Sequence, residues 1–355
     1  MKAVVCTAYG PPEVLQVREL DKPVPKHGQV LIRIHATAVT SSDCIVRAFN
    51  LHGPMAVVGR LVLGITKPRK AVLGMVLAGE IETAGKDVRA FKEGDQVFGF
   101  DRFAFGTYAE YKCMAASGLL ALKPSNLGYE EAAAIPYGGL LALHFLRKGR
   151  ISNRQRVLVY GASGSVGTSA VQLAKHFGAE VTGVCSTANL ELVRSLGADA
   201  VIDYTKDALA DGGERHDLIF VAVGNRVNPP SEADCKNVLA PGAAYISVDH
   251  GAPRLSTDDL VLLKQLAEEG TLRPVIDRSY PLEQMAEAHR YVDQGHKKGN
   301  VVITVAATDS TPLRASIKPR AVQQPSQSPN PVRAVWPDHM ATGRREGRPC
   351  SRASA

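Results

Sequence analysis

The pattern of hydrophobic and polar residues divides the chain into a strand-rich first part and a second part in which strands alternate with helices. Up to about residue 120, alternating or β-branched runs such as residues 30–34 and Gln96–Phe100 are bounded by Gly, Pro and Asp. Such runs are typical of short strands joined by turns. They predict a small, irregular, mainly antiparallel barrel.

From about residue 122 the pattern repeats roughly every 20–25 residues. A helical region over residues 129–147 precedes further elements, which are strand 156–160, helix 165–177, strand 180–185, helix 189–196, strand 200–203 and strands at 218–223 and 243–248. This alternation is typical of a parallel, doubly wound sheet. We therefore predict an α/β fold with a Rossmann domain over residues 122–270.

Beyond about residue 271 the pattern returns to that of the first part. A strand at 275–280, a helix at 282–294 and a strand at 300–305 predict that residues 1–121 and 271–305 form one domain. Residues 306–355 show no apolar periodicity and hold seven of the 21 prolines. Such a composition buries too little apolar surface to fold, so we predict a disordered, basic, Pro-rich tail.

The net charge of +7 lies mainly in that tail. Residues 306–355 contain eight Lys or Arg and three Asp or Glu, and the remaining residues are nearly neutral. Trp336 is the only aromatic residue of the tail, so stacking on nucleic-acid bases is not favoured. The six cysteines are scattered without a CxxC pair, which argues against a structural zinc ribbon and against a disulfide framework.

The sequence also bears on location. No stretch approaches the ~20 apolar residues of a membrane helix. The first six residues have the pattern of a strand and not that of a signal peptide. We therefore expect a cytoplasmic protein without a membrane partner.

A glycine-rich turn links the predicted strand 156–160 to the following helix: Gly161-Ala162-Ser163-Gly164-Ser165-Val166-Gly167. Ala162 is small enough for a tight turn, Gly164 lets the backbone meet a pyrophosphate, and Gly167 lets the helix pack on the strand. The pyrophosphate would bind at the positive end of the helix dipole. A glycine-rich turn without a nucleotide is the alternative, and the strand–turn–helix placement argues against it.

The end of the second Rossmann strand bears on the choice of dinucleotide. NAD-preferring sites carry Asp or Glu here, whereas this strand ends Cys185-Ser186-Thr187 with no acid. Ser186, Thr187, Asn189 and Tyr204 could donate to a 2′-phosphate, so we predict NADPH ahead of NADH. The alternative is that these residues only cap the next helix.

These motifs resemble the medium-chain dehydrogenase/reductase superfamily, and within it the zinc-independent, quinone-oxidoreductase-like branch. The resemblance spans residues 1–305 and is carried by segments 157–175, 196–204, 74–81, 94–99 and 106–111. It implies a GroES-like substrate domain, a Rossmann domain, and an active site in the cleft between them. It also implies hydride transfer from a nicotinamide coenzyme.

The resemblance makes zinc a question for individual residues. Zinc alcohol dehydrogenases of the superfamily use a Cys in the loop held here by Ser41-Ser42-Asp43-Cys44, and a Gly-His-Glu triplet where this chain has Gly74-Met75-Val76. Methionine is a poor ligand for zinc and valine is none. The structural-zinc cysteines are absent, and Cys113 stands alone. We therefore expect no metal site.

Without a metal as Lewis acid, the substrate must itself be electrophilic, as are quinones and α,β-unsaturated carbonyl compounds. Similar quinone reductases carry an Asn-x-x-Asp-x-Tyr-x-Arg pattern, and this chain matches it at Asp43 and Arg47 but has Ile45 for the Tyr. Asp43 and Arg47 are therefore the candidate catalytic residues, with a surface role as the alternative for Arg47. Leu141 replaces a Thr that is common in the family near the nicotinamide amide. Tyr137 could supply a hydroxyl to the site, and the alternative is that it serves only in packing.

A shortening after residue 251 removes a stretch in which many relatives have a further Rossmann strand that joins two subunits. The homodimer that the resemblance implies is weakened accordingly. Two alternative functions stay open, a zinc-dependent alcohol dehydrogenase and a catalytically weak NADPH-binding regulatory protein.

Overall fold

The computed structural model describes residues 1–305 except 52, 103, 208, 210–213 and 225–228, and it leaves out the side chains of 54 and 55. The tail predicted over residues 306–355 lies outside the described residues. Among the residues that are described, no helix is both long enough and apolar enough to cross a membrane.

The first sheet is built mainly from antiparallel pairs and gathers strands from both ends of the chain. Its order is β13-β14-β3-β4-β5-β7, with β6 paired to β3. Strand β14 pairs antiparallel with β3, Val301 facing Val39, so the chain does return to this sheet after the second one. The strands are β3 (Gln29–Val39), β4 (Val76–Ala84), β5 (Gln96–Phe100), β6 (Tyr111–Ala115), β7 (Leu120–Leu122), β13 (Ile276–Pro281) and β14 (Asn300–Thr304), beside a separate hairpin of β1 (Lys2–Cys6) and β2 (Leu15–Glu19).

The second sheet is parallel and has the order β10-β9-β8-β11-β12. Its side chains alternate between two cores: Val157 and Val159 face one hydrophobic cluster, and Leu158 between them faces another. This arrangement confirms the predicted fold class, a Rossmann sheet beside a GroES-like sheet. The strands are β8 (Arg156–Tyr160), β9 (Glu180–Cys185), β10 (Ala200–Asp203), β11 (His216–Val221) and β12 (Leu239–Ser247).

Eight helices are described. They are α1 (Ser41–Ala48), α2 (Pro54–Leu63), α3 (Tyr129–Ala133), α4 (Pro136–Lys148), α5 (Ser165–His176), α6 (Leu190–Ser195), α7 (Thr257–Glu268) and α8 (Met285–Asp293). The single helical region predicted over 129–147 is two helices, because Pro136 has no N–H to continue the first. Residues 41–48 were expected to be a loop and are a helix, which Thr40 caps.

The described part of the parallel sheet ends at β12. No described strand lies between β12 and α7, which is where the sequence indicates a shortening. The domain boundaries at 121 and 271 and the homodimer stay predictions.

Candidate active site

The glycine-rich turn lies between β8 and α5. It is closely packed at Gly161 and Gly167 and open at Gly164. A Cβ on Gly167 would lie 2.1 Å from the Gly161 carbonyl oxygen, so only glycine lets α5 pack against the turn. Gly161 has a positive φ of 78°, which favours glycine. At Gly164 a Cβ would meet only the Gly161 oxygen, at 3.6 Å. The open side therefore lies at Gly164, at the N-terminus of α5.

A segment that leads into β14 closes one edge of this turn. The Gly299 amide donates to the Ser163 carbonyl over 2.8 Å, and the Ser165 hydroxyl donates to Asn300 Oδ1 over 2.6 Å. Lys297 Nζ donates to the Gly299 carbonyl, and burial of this amine lowers its pKa to about 8. Because β14 belongs to the first sheet, the turn lies at the junction of the two sheets.

The strand end predicted to contact the adenosine ribose carries a small polar network. Asn189 Nδ2 donates to Ser163 Oγ at 3.2 Å and to Ser186 Oγ at 3.0 Å, so one side chain joins the turn to the end of β9. Asn189 Oδ1 is buried and has no partner among the described residues. A buried acceptor without a donor is costly, so this atom suits a ligand that donates to it. Tyr204 lies nearby, half exposed, with its ring centroid 6.2 Å from that of Tyr160.

An acid from the neighbouring strand lies beside this strand end, although the strand end itself carries none. Strands β9 and β10 pair in parallel with Cys185 opposite Asp203, so the Asp203 carboxylate comes from the neighbouring strand. Thr187 Oγ1 donates to it over 2.5 Å and Thr205 Oγ1 over 2.6 Å, and these hydrogen bonds lower the pKa of Asp203 to about 2. The Thr187 proton is therefore engaged, and a fixed negative charge lies next to the predicted 2′-phosphate position.

The candidate catalytic residues Asp43 and Arg47 both lie in the protein interior. Thr40 and Asp43 form a reciprocal capping box at the start of α1, and burial raises the pKa of Asp43 to about 6. Arg47 is 2% exposed and pairs with Asp293 over 2.6 Å, which excludes the surface role considered for it. Neither side chain reaches solvent, so their burial argues against direct contact with a substrate, and their catalytic role stays a prediction.

Two hydroxyls, one of them that of Tyr137, form a pair where α4 packs on the start of α5. Ser42 Oγ on α1 and the Tyr137 hydroxyl on α4 are 2.9 Å apart. The next residue, Gly138, packs so closely on the start of α5 that a Cβ there would lie 2.3 Å from the Ser165 carbonyl oxygen. Burial raises the pKa of Tyr137, so its phenol stays protonated and can donate. The pair is half buried and connects α1 to the N-terminal end of α4.

Comparison with known proteins agrees with this architecture. The family of alcohol dehydrogenase GroES-like domains matches residues 26–124, and the family described as zinc-binding dehydrogenase matches residues 251–303. A 2-methylene-furan-3-one reductase of Solanum lycopersicum is 35% identical over 85% of this chain and 79% of its own length. A chloroplastic NADPH-dependent alkenal/one oxidoreductase of Arabidopsis thaliana is 33% identical over 85% and 79%.

More distant relatives include a quinone oxidoreductase of Sus scrofa, which is 30% identical over 84% of this chain and 95% of its own length. The solved structure of the quinone oxidoreductase from Coxiella burnetii is 26% identical and superposes with a TM-score of 0.73, covering 86% of this chain and 99% of that one. The chain therefore belongs to the medium-chain dehydrogenase/reductase superfamily and is an oxidoreductase.

The zinc implied by the name of one matching family does not fit the residues present. Met75 and Val76 are buried, Val76 as the first residue of β4, and Cys44 Sγ lies 3.4 Å from His289 Nδ1 in the interior. Burial lowers the pKa of His289 to about 3, and its other nitrogen lies 3.1 Å from the Tyr108 hydroxyl. No group of three or more His, Cys, Asp or Glu side chains within the described residues is placed to hold a metal ion.

Proposed function

We propose that the protein is an NADPH-dependent reductase of quinones or α,β-unsaturated carbonyl compounds that works without zinc. The observation that carries this proposal is the turn around Gly164, which is open at the helix N-terminus and adjoins Asn189, whose buried Oδ1 has no partner among the described residues. When bound, a nicotinamide coenzyme supplies a hydride to an electrophilic carbon. The relatives' names, a furanone reductase, an alkenal/one oxidoreductase and a quinone oxidoreductase, support this substrate class.

The turn and the strand end divide the binding of the coenzyme between them. The first turn of α5 binds the pyrophosphate through its free amides and the helix dipole, because Gly164 leaves that side open. Ser186, Asn189 and Tyr204 bind the ribose end through two hydroxyls and an amide. The Lys297 amine adds positive charge near the turn, since the adjacent Gly299 contacts Ser163 directly.

We expect the affinity for NADPH to exceed that for NADH by less than the sequence alone indicates. Ser186 and Tyr204 remain available as donors to a 2′-phosphate, and a relative is named as NADPH-dependent. The Asp203 carboxylate opposes that phosphate and lies one strand away. We therefore propose NADPH as the better coenzyme and NADH as a usable one.

The Ser42–Tyr137 pair is the proposed donor to the substrate oxygen. Hydride addition to the β-carbon of an enone places negative charge on the carbonyl oxygen, and an oriented hydrogen-bond donor stabilises that charge. Ile45 occupies the place of the Tyr in similar quinone reductases, and it follows Ser42 by three residues on α1, so the two share a face. Tyr137 thus brings a phenol to Ser42 where Ile45 offers none. Asp43 and Arg47 hold α1 in place in this proposal.

The proposal is tested by following the absorbance of reduced nicotinamide with each coenzyme against a quinone, an alkenal and, in the reverse direction, an alcohol. Turnover of the first two with NADPH, unchanged by a strong chelator, is expected. Loss of activity on chelation and its return with zinc would favour the zinc-dependent alcohol dehydrogenase. Tight NADPH binding without turnover on any acceptor would favour the regulatory alternative.

The proposed donors are tested by Tyr137→Phe and Ser42→Ala. Each is expected to lower kcat about 100- to 1,000-fold, the range for one lost oxyanion donor, while the Kd for NADPH stays within about twofold. Tyr129→Phe is the matched control, because this tyrosine stacks on His35 instead. Equal losses in Tyr129→Phe and Tyr137→Phe would remove the case for the pair.

The cytoplasmic location stays a prediction. Some relatives carry chloroplastic or mitochondrial in their names, so location differs among similar proteins. Imaging of the full chain fused at its C-terminus decides it. The homodimer is decided by sedimentation.

A further inference from the structure

Helix α2 turns its aliphatic side chains towards solvent. Val57, Val58, Leu61 and Val62 are 64%, 49%, 64% and 61% exposed, and Ile65, just beyond the helix, is 68% exposed. These five account for nearly half of the large hydrophobic side chains that the described residues expose. Single exposed aliphatics need no explanation, but a contiguous apolar patch marks an interaction surface.

The spacing of the aliphatic residues and the contacts on the opposite side of α2 keep the aliphatic face directed towards solvent. Positions 57, 58, 61 and 62 recur at helical spacing and lie on one side of α2. The opposite side is fixed against the protein: a Cβ on Gly59 would lie 2.5 Å from Leu51 Cδ1 and 3.3 Å from Phe49 Cζ. The Arg60 guanidinium stacks on the Phe49 ring at 3.9 Å. The helix therefore cannot rotate its aliphatic side chains inward without breaking these contacts.

The apolar face is bordered by positive charge. Lys67, Arg69 and Lys70 are exposed, and none of the three forms an ion pair with a described residue. The Arg69 amide donates to the Leu63 carbonyl over 2.6 Å, which holds these cations against the end of α2. The sequence contains no Asp or Glu between Asp43 and Glu80. We call α2 and residues 64–70 the α2 surface.

We propose that the α2 surface docks the protein on an anionic lipid bilayer. Aliphatic side chains that enter the acyl boundary, together with cations at the headgroup phosphates, form the binding pattern of an interfacial helix. A second copy of the chain fits less well, because a symmetric contact would bring like charges from both copies together. The helix lies on the bilayer and does not cross it. The expectation of no membrane partner is revised to this extent, and the inference is independent of the proposed catalysis.

Flotation of the full chain with vesicles tests this proposal. One set of vesicles is phosphatidylcholine alone, and the other contains phosphatidylglycerol as well. Binding is expected to the second set, with a fraction that persists at high salt because the aliphatic contacts are not screened. The triple variant Lys67→Glu/Arg69→Glu/Lys70→Glu is expected to lower the partition coefficient about 100-fold or more.

A second variant, Val57→Asp/Leu61→Asp, is expected to abolish the fraction that resists salt. Both side chains are exposed, so the fold is expected to persist, and thermal melting checks this. The matched controls are Val24→Asp, at a residue 84% exposed on another part of the chain, and Lys236→Glu, which is also exposed. Both controls are expected to bind like the parent.

Three outcomes overturn the proposal. The first is a parent protein that fails to float with either set of vesicles. The second is unchanged binding by both α2-surface variants, which would place the contact elsewhere, for example in the basic residues 306–355. The third is a concentration-dependent dimer that the variants abolish while vesicle binding is absent, which would make a second copy the occupant.

Discussion

The glycine-rich turn leads to a prediction that separates two effects. Alanine at Gly164 should weaken coenzyme binding, whereas alanine at Gly167 should lower the stability of the fold. Gly164 has φ −80° and ψ 176°, which alanine adopts freely. Its Cβ would contact only the Gly161 oxygen at 3.6 Å, so Gly164→Ala should fold normally. A Gly→Ala change at a compatible backbone stabilises by about 0.4–1 kcal/mol through the unfolded state.

The same methyl group in Gly164→Ala would occupy the space proposed for the pyrophosphate. An extra methyl in a filled contact costs about 1–3 kcal/mol, which corresponds to a Kd for NADPH raised about 5- to 150-fold. The prediction is a normal melting temperature together with a clear loss of affinity. This combination separates a ligand contact from damage to the fold.

Gly167→Ala is expected to show the opposite behaviour. Its Cβ would lie 2.1 Å from the Gly161 oxygen and 2.7 Å from Ala162 Cα, and both are backbone atoms that no rotamer change can move. Overpacking costs about 1–3 kcal/mol, and occasionally more, whereas alanine in a helix returns about 1 kcal/mol. Because two fixed backbone atoms obstruct the methyl group, the upper end of the overpacking range applies. A net loss of about 2 kcal/mol or more is expected, visible as a lower melting temperature without coenzyme.

Thermal melting and titration of NADPH fluorescence measure both variants against the parent. If Gly164→Ala melts normally and still binds NADPH with the parental Kd, the open side of the turn is not the pyrophosphate site. If Gly167→Ala melts like the parent, α5 does not need its close approach to the turn.

Three further predictions concern buried or fixed charges. Asp203→Asn removes the carboxylate beside the ribose site and should raise the NADPH-to-NADH ratio of kcat/KM about fivefold, and an unchanged ratio would remove Asp203 from coenzyme choice. Asp293→Ala leaves the Arg47 guanidinium buried without its partner and should lower the free energy of unfolding in urea by about 2–3 kcal/mol. This loss is smaller than for a fully buried pair because Asp293 is 27% exposed. Adding Arg47→Met to Asp293→Ala should recover part of the loss. Folding raises the pKa of Asp43 from 3.8 to about 6, so the stability that its protonation contributes is lost as the pH rises from about 4 to 6. In Asp43→Asn, the midpoint of urea unfolding should therefore depend less on pH across that window. An unaltered dependence on pH would contradict this.

The sequence was sufficient for features whose chemistry is local. The glycine-rich turn needs a strand, a few small residues and a helix in immediate succession, so residues 157–175 predict it without any knowledge of packing. The fold class followed from strand–helix alternation for the same reason. Helix α2 was not predicted, because residues 54–63 are almost all apolar and do not form the polar face by which a surface helix is recognised in a sequence.

Asp203 shows why the coenzyme site could not be completed from sequence. It follows the end of β9 by 18 residues and reaches Thr187 only through the parallel register of β9 and β10. The sequence contains the acid, but the pairing that brings it to the site depends on how two strands align in a sheet. The end of β9 therefore carries no acid, as expected, and the acid beside it comes from β10.

The two hydroxyls proposed to contact the substrate could not be paired from the sequence either, because they are even further apart along the chain. Ser42 and Tyr137 are separated by 95 residues and meet only where α1, which follows β3, comes next to α4, which precedes β8. Asp43 and Arg47, which do match a family pattern, bind within their own helix and to α8. The matched residues thus stabilise α1, and the two hydroxyls belong to residues outside the pattern. A chain that lacks the usual phenol on α1 can keep donor chemistry in the cleft if α4 supplies the phenol, and Tyr137→Phe decides whether this chain does so.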